Sequence, residues 1–281
     1  MEEVDILKKH GFTFKKQFGQ NFLTDTNLLD AIVRDADMGG GKTVLEIGAG
    51  AGALTRALSE RAKRVLSYEI DQTLKPVLSE TLSGCENVEI VFRDFARENL
   101  STVEKELGKY VVVANLPYYV TTPVILRFIE ESELCQGLTV MVQEEVALRL
   151  CGAAGTADYG AITAAIARRG TSEITRKVSR NLFTPRPNVD SAVVRIDFTR
   201  GGFKVKSDRA YRETVRCAFL NRRKTLENNL MNVFRLTREQ AKEILALAEI
   251  PDGVRGEVLA PGQLGVLSDI LLDRQVIKEK Q

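Results

Sequence analysis

The chain of 281 residues contains no tryptophan and a single histidine, His10. One imidazole near the N-terminus argues against a histidine-based catalytic triad and against a metal site built from several histidines. The four cysteines, Cys85, Cys135, Cys151 and Cys217, are widely spaced and include no Cys-x-x-Cys pair. This spacing argues against structural zinc and against a disulfide framework, so we expect reduced thiols, no metal and a cytoplasmic protein.

The sequence also lacks the patterns of an exported or membrane-spanning protein. It begins Met1-Glu2-Glu3-Val4-Asp5, without the basic and apolar regions of a signal peptide. No apolar run approaches the ~20 residues that a membrane span requires, and we therefore expect no membrane partner. With 44% apolar residues, the chain has enough hydrophobic material for one large α/β domain and a smaller second one.

Charge is distributed unevenly along the chain. The formal net charge is only +2, yet the segment from Arg168 to Arg238 contains 18 lysines and arginines against 6 aspartates and glutamates. That segment therefore carries +12 and the rest of the chain −10. The asymmetry indicates a surface that binds a polyanion, although a solvated basic face without a partner has the same composition.

Short apolar and β-branched segments predict the strands of a mostly parallel sheet. The predicted strands are 43–47, 65–69, 88–92, 111–115, 138–142 and a closing strand over 191–198. Thr24 or Asp25 is expected to cap a helix that precedes the first of them. Open α/β sheets bind their ligands at the carboxyl ends of the strands, so polar residues there are site candidates.

Three such candidates follow the first three strands. The turn Gly48-Ala49-Gly50-Ala51-Gly52 lets the backbone approach a ligand closely where a helix begins. Glu69 ends the second strand, 19 residues after Gly50, where a carboxylate can accept both hydroxyls of a ribose. Asp94 lies beyond the third strand, where it can accept from an adenine amino group. Each feature alone is common in ordinary loops, but the series predicts a nucleoside-containing cofactor.

The fourth strand ends in Asn115-Leu116-Pro117-Tyr118. The exocyclic amine of a base is a poor nucleophile because its lone pair is delocalised into the ring. The Asn115 side-chain oxygen and the Leu116 carbonyl could each accept one N–H bond from such an amine and turn its lone pair toward an electrophile. Pro117 has no N–H and a fixed φ, and Tyr118 offers a face for base stacking. The alternative is an ordinary strand-to-helix turn.

These segments resemble, in order, the motifs of one enzyme family. Residues 46–52 resemble the first motif of S-adenosylmethionine-dependent methyltransferases, and 115–118 the N-L-P-Y of adenine-N6 methyltransferases that act on RNA. Residues 20–23 look like their N-terminal cofactor motif, and 183–192 like their F-x-P-x-P-x-V-D-S-A segment. Residues 219–226 are similar to the F-x-x-R-R-K-x-L of the KsgA-type small-subunit ribosomal RNA adenine dimethyltransferases.

The resemblance implies a fold, a reaction and a partner. It implies an α/β, Rossmann-like class I S-adenosylmethionine-dependent methyltransferase domain over residues 1–200 and a small all-helical rRNA-docking domain over 206–281. The enzyme would dimethylate N6 of two adjacent adenosines near the 3′ end of small-subunit (16S) rRNA during ribosome biogenesis. Its partner would be that rRNA or a precursor of the small subunit, and we expect a cytoplasmic monomer.

The resemblance also assigns roles to individual residues. The cofactor contacts would be Gln20, Asn21, Leu23, Gly48, Gly50, Glu69, Asp94 and Asn115. The catalytic residues would be Asn115, Leu116, Pro117, Tyr118 and Phe183, with Tyr118 and Phe183 stacking on either face of a flipped adenine. One departure from the pattern is Glu144, where relatives commonly carry lysine, and Arg255-Gly256-Glu257 is a loose version of their R-A-E.

The RNA contacts would be Arg222, Arg223 and Lys224. If residues 209–231 formed a single helix, its basic and apolar faces would adjoin instead of opposing each other. We therefore expect a break near Asn221 that turns these three cations toward RNA. The alternative is a surface helix with ordinary solvated arginines.

Four other functions share part of the pattern. An erythromycin-resistance-type methyltransferase of large-subunit (23S) rRNA carries the same tetrapeptide, but the R-R-K and V-D-S-A segments favour the small subunit. A DNA adenine methyltransferase would need a large target-recognition domain. A non-catalytic ribosome-assembly factor would not require an intact site. A nicotinamide dehydrogenase would leave the tetrapeptide and the basic region unexplained.

Overall fold

The computed structural model describes residues 3–15, 21–23, 25–37, 41–117 and 120–278. The chain divides into two compact units. The first comprises Met1–Ala147 and Glu173–Thr199, and the second comprises Leu148–Ser172 and Arg200–Gln281.

Nine strands lie in the described residues. They are β1 (Phe22–Leu23), β2 (Thr43–Ile47), β3 (Arg64–Tyr68), β4 (Val88–Val91), β5 (Tyr110–Asn115), β6 (Cys135–Gln143), β7 (Thr171–Val178), β8 (Phe183–Thr184) and β9 (Ser191–Asp197). Seven of them form one sheet in the order β4-β3-β2-β5-β6-β9-β7, and β1 pairs only with β8. Strands β2 to β6 pair in parallel, and β9 is antiparallel to β6.

The strand order places a switch point beside β2. This strand lies between β3 and β5, so the connections that leave these three strands start at one edge of the sheet on either side of the reversal. Open α/β folds bind ligands at this place. The predicted strands are all present, with bounds that differ by up to three residues, and the mostly parallel sheet expected of a Rossmann-like α/β fold is confirmed.

Seven α-helices of the described residues begin in the first unit. They are α1 (Glu3–Lys9), α2 (Thr26–Asp35), α3 (Ala53–Ser59), α4 (Lys75–Thr81), α5 (Leu100–Leu107), α6 (Thr121–Glu131) and α7 (Glu144–Cys151). Asp25 caps α2, as the sequence predicted, since its side chain accepts the Leu28 N–H at 2.8 Å. Helices α1, α4, α5 and α7 and strands β1, β7 and β8 were not predicted from the sequence. The segment of β7, Thr171–Val178, has no apolar run that would predict a buried strand, because it is polar and lies at the edge of the sheet.

The second unit is built around five further helices. They are α8 (Ala161–Arg169), α9 (Asp208–Phe219), α10 (Leu226–Phe234), α11 (Arg238–Leu247) and α12 (Pro261–Asp273). The predicted break near Asn221 is present, because α9 ends at Phe219 and α10 begins at Leu226 under a Thr225 cap. In the turn between them, the Asn221 carbonyl accepts the Lys224 N–H at 3.0 Å.

Residues 148–172 differ from the predicted domain boundary. The sequence-based boundary assigned them to the first domain, but they belong to the helical unit. They belong to it because the side chains of Tyr159 and Ala164 are buried in the hydrophobic core of the helical unit. The Tyr159 hydroxyl donates to the Leu259 carbonyl at 2.9 Å, and the Tyr211 hydroxyl donates to the Ala164 carbonyl at 3.0 Å.

None of the four cysteines, all of which lie in the described residues, forms a disulfide bond. Cys135 and Cys217 are buried, and burial raises the pKa of the Cys217 thiol to about 12. No helix in the described part of the chain is both long enough and apolar enough to cross a membrane.

Candidate cofactor and substrate site

A pocket opens at the carboxyl edge of β2, β3 and β5, all within the first unit. The predicted site residues among those that line it are Asn21, Leu23, Gly48, Gly50, Glu69, Asp94, Asn115, Leu116 and Pro117. Fold topology alone therefore gathers residues that are up to 96 positions apart in the sequence. Gln20 and Tyr118 lie outside the described residues, so their predicted roles stay predictions.

The glycine-rich turn and Glu69 form one hydrogen-bonded unit. The Gly50 N–H donates to Glu69 Oε2 at 2.9 Å, and the Asp71 N–H donates to Oε1 at 2.8 Å. Gly50 adopts φ +57°, and a Cβ at this position would lie 3.0 Å from the Phe22 ring. Burial raises the pKa of the Glu69 carboxyl above its ordinary value. Each carboxylate oxygen retains a further lone pair with which it can accept a ligand hydroxyl.

Asp94 begins a short 3₁₀ turn, Phe95–Arg97, beside the pocket. Its Oδ1 accepts the Ala96 N–H at 3.0 Å, which fixes the orientation of the carboxylate. Its Oδ2 lies 3.5 Å from Arg97 Nε, and the Arg97 side chain is exposed. The carboxylate is therefore held by its own turn and keeps acceptor capacity for a ligand amine.

Two oxygens at the end of β5 are available as acceptors. Asn115 Nδ2 donates to the Asn21 carbonyl at 3.3 Å, so Oδ1 is the amide atom left to interact with a ligand. Within the described ranges, neither Asn115 Oδ1 nor the Leu116 carbonyl accepts a hydrogen bond. By contrast, the Pro117 carbonyl accepts the Val120 N–H at 3.1 Å and the Thr121 hydroxyl at 3.2 Å. Asn115 Oδ1 and the Leu116 carbonyl are therefore available to a ligand, whereas the Pro117 carbonyl is already hydrogen-bonded within the protein.

Phe183 is placed differently from the other predicted residues. It is buried, pairs with Leu23 across the β1–β8 ladder, and belongs to a core cluster that includes Met141. It is not among the residues that line the pocket. Its predicted stacking on the target base stays a prediction.

The sequence did not single out the aromatic residues that pack together in the described part of segment 11–23, which we call the N-terminal arm. The rings of Phe12, Phe14 and Phe22 lie with centroids 5.5 to 6.0 Å apart, and Phe22 also packs on Gly50. Lys15 donates to Asp71 Oδ1 at 2.7 Å and to the Thr73 hydroxyl at 2.8 Å. The available signal was the repeated phenylalanine in a segment without helical or strand periodicity.

Glu46, the first residue of the glycine-rich segment 46–52, is fully buried and does not line the pocket. The hydroxyls of Thr55 and Ser67 both donate to its Oε2 at 2.6 Å, whereas Oε1 has no partner among the described residues. Burial, reinforced by the nearby Glu69 charge, raises the pKa of the Glu46 carboxyl to about 7. Two hydroxyl donors do not compensate the desolvation of a fully buried carboxylate, so Glu46 keeps its proton to a higher pH than an exposed glutamate does.

We expect the stability of the protein to fall as the pH rises from about 4.5 to about 7. The folded state keeps the proton up to about pH 7, whereas the unfolded chain loses it near the ordinary value of 4.5. The free energy of unfolding should therefore decrease by about 3 kcal/mol across that window, and a Glu46→Gln variant should lack this decrease. Denaturant unfolding at several pH values measures both, with exposed Glu60→Gln as the control. An identical pH dependence in wild type and Glu46→Gln would contradict the assignment.

The three predicted RNA contacts lie in the second unit and differ from one another. Arg222 Nε lies 3.0 Å from Glu257 Oε2, and its Nη2 donates to the Tyr159 carbonyl at 2.8 Å. Arg223 and Lys224 are exposed, and their side chains have no partner in the part of the chain that the structure describes.

Glu144, where the family pattern has lysine, lies in the first unit. Its Oε1 accepts from Lys177 Nζ at 2.6 Å. This exposed ion pair raises the pKa of Lys177 above its ordinary value.

Comparisons with known proteins agree with the fold. Residues 11–259 match the family described as Ribosomal RNA adenine dimethylase. The chain is 42% identical over 276 residues to the Ribosomal RNA small subunit methyltransferase A of Geobacillus thermodenitrificans, covering 95% of this chain and 94% of the relative. It is also 42% identical over 280 residues to the protein of the same name from Bacillus cytotoxicus, covering 97% and 96%.

Two solved structures are similar over most of the chain. The 23S rRNA methyltransferase ErmE superposes with a TM-score of 0.70 at 29% identity, covering 89% of this chain and 99% of that one. A dimethyladenosine transferase from Plasmodium falciparum superposes with a TM-score of 0.71 at 23% identity, covering 88% and 95%, and supports the fold alone. With a family match over most of its length and full-length relatives at 42% identity, the chain belongs to the ribosomal RNA adenine dimethylase family.

Proposed function

We propose that this protein transfers methyl groups from S-adenosylmethionine to N6 of two adjacent adenosines near the 3′ end of small-subunit rRNA, two to each adenosine. The observation that carries the proposal is a pair of oxygens, Asn115 Oδ1 and the Leu116 carbonyl, that accept no hydrogen bond from the described residues and lie in one pocket with the carboxylates of Glu69 and Asp94. The names and near-complete coverage of the 42%-identical relatives support the substrate. Because the substrate is ribosomal RNA, we expect the protein to act in the cytoplasm.

The residues of the pocket fit S-adenosylmethionine. Glu69 would accept the ribose hydroxyls with the lone pairs that the Gly50 and Asp71 amides leave unused. Asp94 would accept the adenine amine, and Gly48 and Gly50 would let the backbone approach the cofactor. Gln20, Asn21 and Leu23 would contribute from the arm. When bound, the cofactor supplies an activated methyl group on a sulfonium, so this chain needs no metal or covalent intermediate of its own.

The chemistry assigned to the protein is alignment of the target amine. Asn115 Oδ1 and the Leu116 carbonyl would accept its two N–H bonds, which leaves the nitrogen lone pair directed at the methyl group. The Asn21 carbonyl contributes by holding Asn115 Nδ2, because a flipped amide would present a donor to the amine and repel it. Pro117 has no N–H that could compete for either acceptor. Tyr118 and Phe183 would stack on the adenine once it is flipped out.

The alternative function, methylation of 23S rRNA, has weaker support. The chain shares its fold with the 23S rRNA methyltransferase ErmE at 29% identity. The small-subunit relatives match at 42% identity over nearly the whole chain, and the second unit carries the Arg222-Arg223-Lys224 turn. A non-catalytic assembly factor is disfavoured because the acceptor oxygens and both carboxylates are intact.

One experiment separates these functions. Radiolabelled S-adenosylmethionine is offered with unmethylated small subunits and, separately, with unmethylated 23S rRNA. Label recovered as dimethyladenine in small-subunit RNA is the expected result. Label in 23S rRNA would assign the protein to the resistance-type enzymes, and bound cofactor without label in either RNA would favour the assembly factor.

We also propose that Arg223 and Lys224 contact the rRNA backbone, together with the more constrained Arg222. Replacing Arg223 and Lys224 with alanine should weaken binding to the small subunit and reduce the slope of log affinity against log salt by about 1.5, because two phosphate contacts are lost. The double variant Lys105→Ala and Lys109→Ala, which removes two exposed lysines of the first unit, is the charge-matched control. An unchanged slope in the Arg223 and Lys224 variant would refute the assignment.

A further inference from the structure

Arg127, on α6, binds the backbone of the turn that carries Asp94. Its Nη1 donates to the Phe95 carbonyl at 3.0 Å and reaches the Ala96 carbonyl at 3.5 Å, while its Nη2 donates to the Glu98 carbonyl. Its side chain is largely buried, with 18% exposed, and does not line the pocket. One guanidinium therefore binds three carbonyl oxygens of a single turn.

The same turn is fixed from its other side by aromatic packing. The buried Phe95 ring stacks on the Phe128 ring of α6, with centroids 5.8 Å apart and planes at 14°. It also makes an edge-to-face contact with the Tyr68 ring, with centroids 5.2 Å apart. The Arg127 guanidinium carbon lies 5.3 Å from the centroid of the Phe95 ring, a cation–π contact. Helix α6 thus holds both the side chain and the carbonyls of the residues that follow Asp94.

We propose that Arg127 is a positioning residue for the adenine ring of S-adenosylmethionine and acts through Asp94. This inference rests on the proposed function only in assigning that cofactor to the pocket. The Asp94 carboxylate can discriminate an adenine amine only if its turn stays in place, and Arg127 supplies the carbonyl contacts that hold it there. Helix α6 begins at Thr121, just after the tetrapeptide, so one helix supports both the adenine end and the methyl-acceptor end of the pocket.

The chemistry of the site requires arginine rather than a generic cation. Guanidinium presents five N–H donors in a fixed planar fork, which can serve several carbonyls at once while its face lies on a ring. The lysine ammonium is a compact point charge without that fork. Arg127 Nε also contacts Oε2 of the exposed Glu131 at 3.2 Å, one helical turn further along α6.

The test compares ligands that differ at the adenine amine. Calorimetry gives dissociation constants for S-adenosylhomocysteine and S-inosylhomocysteine, in which a carbonyl replaces the amine and should be rejected by Asp94. In Arg127→Met, which keeps the aliphatic stem, we expect the preference for the adenosyl ligand to shrink about tenfold, as for loss of one well-aligned polar contact. Arg127→Lys should fall between wild type and Arg127→Met, and Glu131→Gln should match wild type.

Each outcome decides the question. A purely structural Arg127 would weaken both ligands by the same factor and leave their ratio unchanged, which would overturn the proposal. A wild-type protein that binds both ligands equally would also overturn it, because Asp94 would then not read the amine. If Arg127→Met fails to fold, Arg127→Lys provides the same ratio. Failure of the RNA methylation assay would leave these binding ratios measurable, so the two proposals fail independently.

Discussion

Replacement of Asn115 by alanine is expected to lower methyl transfer to small-subunit RNA about a thousandfold or more, because a preorganised polar group at the reacting atom is lost. Binding of the RNA should change little, since the proposed phosphate contacts lie on Arg223 and Lys224 in the second unit. Single-turnover methylation at saturating cofactor measures the loss in the chemical step. Filter binding of the small subunit measures the affinity separately.

Two further variants sharpen this prediction. Asn115→Asp keeps an acceptor oxygen but loses the Nδ2 donor to the Asn21 carbonyl, so its rate should lie between wild type and Asn115→Ala. Asn232→Ala, an exposed amide of α10, should leave the rate unchanged. Near wild-type transfer by Asn115→Ala would mean that the amine is aligned by other groups, and the proposed mechanism would be wrong.

Replacement of Glu69 by alanine is expected to weaken S-adenosylhomocysteine binding about a hundredfold, since two hydrogen bonds to a charged group are lost. The same change removes the acceptor of the Gly50 and Asp71 amides, which would leave these donors unpaired. Calorimetry measures the dissociation constant directly. Asn115→Ala should bind the same ligand more tightly than Glu69→Ala does, because its proposed main role is toward the amine.

The control for Glu69 is Glu89→Ala on β4, whose exposed carboxylate pairs with Arg64. This variant should bind the ligand as wild type does. If Glu69→Ala also retained wild-type affinity, Glu69 would not bind the ribose hydroxyls, and the proposed orientation of the cofactor in the pocket would be wrong.

The sequence predicted those features that depend on local pattern. Apolar runs defined β2 to β6, and the glycine-rich turn, Glu69, Asp94 and Asn115 could be placed because a parallel sheet brings the ends of its strands together. The Asp25 cap and the break before Leu226 followed equally from local chemistry.

Features that depend on long-range contacts could not be predicted. The β1–β8 ladder joins two-residue strands, Phe22–Leu23 and Phe183–Thr184, which are too short to show periodicity. Arg127 contacts carbonyls 29 to 32 positions earlier in the chain, and backbone carbonyls carry no sequence signal. Residues 148–172 join the helical unit because of side-chain packing by Tyr159 and Ala164, which composition does not reveal.

The two acceptor oxygens at the end of β5 have a consequence for how the reaction stops. An unmodified adenine amine has a hydrogen for each oxygen, a monomethylated amine has one, and a dimethylated amine has none. Affinity for the base should therefore decline with each transfer, and the finished product has no hydrogen with which to engage Asn115 or Leu116. The site would need no separate device to count methyl groups, because an amine without N–H bonds can no longer be aligned by these two acceptors, which ends the cycle and favours release.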